Sequence, residues 1–176
     1  HAYTNLGVLK FSLRDWSEAV MNMEEAEVLR TEYGYIAERP TNLKNLGEIL
    51  ICTGDYILAR EKFETGREIS QKLGMNLFEA YAELGLCRLS IYENKIAEAS
   101  EHLDAANLLV SNTENELDDR TVQINFLEAL IAGELGEYKT GKKLAHKAFS
   151  IAESSGYLSE KTETLRVLGI LYAGSG

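Results

Sequence analysis

Residues 46–66 read LGEILICTGDYILAREKFETG, and this stretch decides the fold. Leu46-Gly47 is followed by the turn Gly54-Asp55-Tyr56 and then by Ala59, Phe63 and Gly66. Apolar and small residues recur every three or four positions on both sides of the turn, the spacing of two amphipathic helices joined tightly. The pattern returns 40 residues away in either direction, and once more after a step of 42. Self-similarity of that length marks an array of two-helix units, each too apolar on two flanks to stand alone.

Toward the N-terminus the same grammar appears as Leu6-Gly7, Asp15-Trp16, Ala19 and Met23, closing at Gly34. Pro40 suits the first turn of the following helix, where its missing N–H costs nothing. Toward the C-terminus it returns as Leu86-Cys87, Ile96, Ala99 and Leu103, then as Glu128-Ala129, Gly136, Tyr138, Gly141 and Ala145. Glu128, where leucine is expected, is the main departure. Leu84-Gly85 reads as a decoy, because only the Leu86-Cys87 register keeps the 40-residue step. Asn76 with Glu79, and Thr113 with Glu116, have the spacing of capping boxes. A last half unit carries Leu165, Leu168, Gly169 and Tyr172.

The small series Gly7, Gly47, Cys87, Ala129 and Gly169 is expected to let paired helices approach closely, opposite Ala19, Ala59, Ala99 and Gly141. Larger residues at Trp16, Tyr56, Ile96 and Tyr138, and at Met23, Phe63 and Leu103, are expected to fill the space between pairs. The fold class expected is therefore all-α, an α-solenoid of tandem antiparallel helix hairpins. It forms a single domain over 1–176, with repeats at approximately 1–39, 40–76, 77–114 and 115–157 and a half repeat at 158–176.

These residues, and Leu46-Gly47, Gly54-Asp55-Tyr56, Ala59, Phe63 and Gly66 above all, resemble the tetratricopeptide repeat family over nearly the whole chain. The resemblance implies a right-handed superhelix of about four and a half repeats whose first helices line a concave side. A step of 40 instead of the family's 34 is similar to the long variant in sensor regions of bacterial transcription activators and peptide-responsive regulators. HEAT-type repeats share the length but lack the Gly-Asp-Tyr turn.

Composition narrows the function. The net charge of −10 opposes a phosphate backbone, so direct nucleic-acid binding is disfavoured. No apolar run is long enough for a membrane span, and the reduced state expected of the two cysteines reads as a cytoplasmic compartment. Its start at His1, without methionine, reads as a cut from a longer protein. Cys52 and Cys87 stand in apolar helical contexts and are expected to be buried, reduced thiols. His1, His102 and His146 are far apart and lack a second ligand at metal spacing, so no metal is expected. The acidic clusters Glu24-Glu25, Glu114 to Glu116 and Asp118-Asp119 fall on polar faces or at helix starts. With no phosphate loop or nucleophile pairing, neither a cofactor nor an enzyme activity is expected.

What remains is a surface that holds a protein or peptide partner. On the concave side implied by the resemblance, the candidate partner-binding residues are Asn45, Glu48, Tyr81, Leu84, Arg88, Tyr92, Phe126 and Leu130, with the groove growing more apolar toward the later units. The subset of the family that grips chaperone C-termini uses lysines, asparagines and an arginine; the places of its first Lys-Asn pair are held here by Thr4 and Val8 and those of its later Lys and Arg by Tyr81 and Gly85, and only Asn45 matches. The reading is a non-catalytic scaffold within a larger regulatory or signalling protein. The alternative is a domain of a transcriptional regulator that senses a small ligand or signalling peptide. The flank of the half repeat, with Leu165, Leu168 and Tyr172, also offers a face for a homodimer.

Overall fold

The computed structural model of the chain describes residues 1–111 and 119–176. Among them it is all-helical: α1 (Ala2–Ser12), α2 (Trp16–Glu32), a 3-10 turn (Ile36–Glu38), α3 (Arg39–Thr53), α4 (Tyr56–Leu73), α5 (Asn76–Tyr92), α6 (Ile96–Val110), α7 (Asp119–Glu134), α8 (Tyr138–Ser155) and α9 (Leu158–Gly174). The backbone carries the period directly. Arg14, Gly54, Asn94 and Gly136 all take left-handed φ, between 58° and 82°, at steps of 40, 40 and 42. Each residue after them is the N-cap of an even-numbered helix. Asp15 and Asp55 do this with their side chains, accepting from the backbone N–H of Glu18 at 3.4 Å and of Leu58 at 3.2 Å.

The chain divides into two compact units, His1–Leu89 and Ser90–Gly176, with the division falling inside α5. In the first unit α1 packs on α2 and α3, α2 on α3, and α3 on α4. Its core joins Ala19 and Met23 to Leu46, Ile49, Leu50, Ala59, Phe63, Leu86 and Leu89, all with at most 3% of their surface exposed. Phe63 is the keystone. A methyl group on Gly47 would lie 2.6 Å from its Cζ, and one on Gly85 would overlap the same edge of the ring. In the second unit α6 packs on α7, α7 on α8, and α9 on both α7 and α8. There α7 and α8 cross where a methyl on Gly141 would come 2.9 Å from the Ala129 carbonyl oxygen.

Several expectations are corrected. Gly85 is no decoy: it is the tightest point on Phe63, so α5 spends one residue on the repeat register and its neighbour on the preceding aromatic. Gly169 has nothing within 4 Å of its would-be side chain and makes no close approach among the described residues. Cys52 is exposed, because it lies near the end of α3, beyond the stripe of Leu43, Leu46 and Leu50; only Cys87 is buried. Asn76 and Glu79 form no capping box. The helix starts one residue early, with the Met75 carbonyl accepting from Glu79 N–H at 3.1 Å, while the Glu79 carboxylate takes a bond from Gln71 at 2.9 Å. The box expected at Thr113 and Glu116, and the acidic residues Glu114 to Glu116 and Asp118, lie outside the described residues. Tyr56 is 36% exposed, so it covers the core edge without filling it.

Candidate binding site

Glu48 on α3 and Arg88 on α5 stand one period apart, and they touch. Arg88 Nη1 donates to Glu48 Oε2 at 2.8 Å, with the side chains 14% and 22% exposed. Partial burial matters here, since a half-desolvated charge-assisted bond is stronger than a surface pair and costs more to break. Nearer the N-terminal ends of the same helices, Lys44 Nζ lies 5.3 Å from the centre of the Tyr81 ring, a cation–π distance. Asn45 is half-buried beside them. The first unit thus joins Lys44 to Tyr81 and Glu48 to Arg88 between α3 and α5, with Asn45 on the same stretch of α3.

The apolar members of the expected groove are elsewhere in character. Leu84 is 1% exposed, Phe126 1% and Leu130 6%, so none presents surface to a partner. The physical reason is visible in the helices that carry them. In α5, residues 82–87 are all buried, and in α7 so are 122–127 and 129–132. A helix buried on nearly every side is an enclosed helix, not one with a spare apolar face. Tyr92, in the second unit, is 39% exposed at the end of α5.

No group of three His, Cys, Asp or Glu capable of holding a metal occurs among the described residues. His102 lies 3.9 Å from Glu98, and His146 Nε2 is 3.2 Å from the Tyr172 hydroxyl. No helix among the described residues is long and apolar enough to cross a membrane.

Sequence reasoning missed a second feature, at the open end of the first helix pair. Arg30, near the end of α2, is 6% exposed. Its Nη2 donates to Thr4 Oγ1 at 2.8 Å, and Thr4 in turn points its hydroxyl at Asn42 Oδ1, 3.4 Å away. Asn42 is fully buried and donates to the Met23 carbonyl at 2.9 Å, which ties α1, α2 and α3 through one polar chain. The available clue was the repeat itself. One, two and three units further on, the place of Arg30 is held by Ser70, Val110 and Ala152, so helix packing does not ask for a cation there.

Neither any protein-family model nor any curated protein matches this chain.

Proposed function

We propose that the chain is a non-catalytic scaffold that binds a protein or peptide partner, built as an array of helix hairpins of the tetratricopeptide kind. The observation that carries the reading is the contact between Glu48 and Arg88. Side chains one period apart meet, so α3 and α5 run in matching register within the first unit and their exposed edges form a repeated strip. Further support comes from the packing order, in which each helix meets the next in turn, α1 on α2, α2 on α3 and α3 on α4, the nearest-neighbour stacking of a hairpin array.

The strip offers Asn45, Glu48, Lys44, Tyr81 and Arg88, which present both signs of charge, amide groups and one aromatic ring. Its chemistry suits an extended polypeptide held by backbone and polar contacts, in preference to a greasy helix laid into an apolar groove. The test begins with peptides selected from a random display library on the intact chain. Their affinities are then measured for Glu48→Arg, Arg88→Glu and the exchanged double variant, with Tyr92→Ala as a separate arm. Each single charge reversal is expected to weaken binding by roughly tenfold or more, since a hydrogen bond to a charged group contributes about 1.5–3 kcal/mol. Equal affinities across the series would discard this strip as the binding surface.

A further inference from the structure

The guanidinium of Arg30 has a demand for acceptors that the protein leaves unmet. It carries five N–H donors, yet among the described residues its hydrogen bonding goes to Thr4 alone. Its Nε is buried without a hydrogen-bond partner. The nearest carboxylate oxygen, Glu38 Oε2, stands at 3.6 Å, within Coulombic reach but beyond hydrogen-bond range. Glu38 itself is shared, with His1 Nε2 at 3.7 Å.

Arg30 and Glu38 line a cleft of about 440 Å³ whose other walls include Tyr3, Leu29, Tyr33 and Tyr35. That volume lies within the ~300–1,000 Å³ of small-molecule sites, and so does the make-up: mostly apolar and aromatic walls with a few convergent polar groups. The aromatic walls are unusually bare, Tyr33 being 69% exposed, Tyr35 57% and Tyr3 43%. Tyr33 and Tyr35 stack with ring centres 6.3 Å apart. None of this is required by the repeat, which puts Leu73 and Ser155 where Tyr33 stands and small or uncharged side chains where Arg30 stands.

A plain anion would enter beside Glu38 and meet its charge. A plain cation would enter beside Arg30. A ligand with both charged groups on one carbon meets neither objection: a carboxylate completes the guanidinium, an ammonium takes Glu38, and an apolar body lies against the tyrosines. We infer that this cleft binds a free α-amino acid with an aromatic or large apolar side chain. The inference is independent of the scaffold reading, because the cleft lies on α1, α2 and the turn after it and shares no residue with the strip on α3 and α5.

The experiment titrates the chain with L-phenylalanine by calorimetry, alongside 3-phenylpropanoate, which lacks the ammonium, and phenethylamine, which lacks the carboxylate. Saturable binding of L-phenylalanine is expected, with both analogues weaker by roughly tenfold or more. Arg30→Met should abolish it. Because Arg30 also holds Thr4, that variant is checked for helix content, and Glu38→Gln, at a half-exposed side chain, gives an independent arm expected to weaken L-phenylalanine while leaving 3-phenylpropanoate equal or tighter. Equal binding of all three probes, no saturable binding of L-phenylalanine, or a Glu38→Gln variant that binds L-phenylalanine unchanged would each overturn the assignment.

Discussion

Helices α3 and α9 carry the same grammar and meet different surroundings. Leu43, Leu46 and Leu50 on α3 are 2%, 0% and 3% exposed, and Gly47 has the Phe63 ring against its backbone. Their counterparts on α9 are Leu165 at 50%, Leu168 at 7% and Tyr172 at 53%, and Gly169 has nothing within 4 Å. What differs is the helices that follow: α5 meets α3 through Glu48 and Arg88, α4 lies on it with Ala59 and Phe63, and no described residue occupies the matching places on α9. A repeat motif therefore specifies a face that is ready for a helix. Whether a given copy is buried depends on the helix that arrives.

The largest effect should come from removing the aromatic that α4 brings. Phe63 is fully buried, so Phe63→Ala is expected to cost about 3–5 kcal/mol, read as a fall in the denaturant midpoint. Next comes crowding from the other side. Gly47→Ala and Gly85→Ala each drive a methyl group into a rigid ring with no space to retreat, and are expected to cost about 1–3 kcal/mol. Were both tolerated without loss, Phe63 could not be the keystone described above. The same substitution on α9 should have the opposite sign. Gly169→Ala meets nothing and replaces a poor helix former by the best one, for a gain of about 1 kcal/mol; a clear loss would mean that this face is covered after all.

The comparison also shows what could be read in the sequence. Helix number, turn positions and the core residues Ala19, Met23, Ala59, Phe63 and Leu103 follow from spacing, because period and side-chain size are local properties. Burial of Leu84, Phe126 and Leu130 was not, since a face that packs on nothing in its own repeat can still be enclosed by other elements. The role of Gly85 was hidden because it answers to Phe63 of the preceding helix and not to its own repeat. Arg30 was invisible to a search for motifs; it stands out only as a breach of the pattern, once its burial is known.

Cysteine sharpens the contrast between covered and open copies of the small position. Cys87 takes in α5 the place that Gly47 has in α3 and Gly169 in α9. It is fully buried, and burial pushes its thiol from 9.0 up to about 12. Reactivity follows the thiolate and its access. In a Cys52→Ser background, which removes the exposed thiol, Cys87 should resist maleimide in the native state, whereas an added Gly169→Cys should react at a rate near that of the unfolded chain. The folded pKa lies above the unfolded one, so the stability held by the neutral thiol is fully present below about pH 9. It is lost as pH rises through about 12, because the unfolded chain ionises first. At about pH 9.5 the loss is under about 1 kcal/mol, the smallest effect in the series. It is isolated as the difference in pH slope between the parent chain and Cys87→Ala, in which all other titrating groups are kept. Parallel slopes, or fast labelling of Cys87, would mean that the small position on α5 is as open as the one on α9.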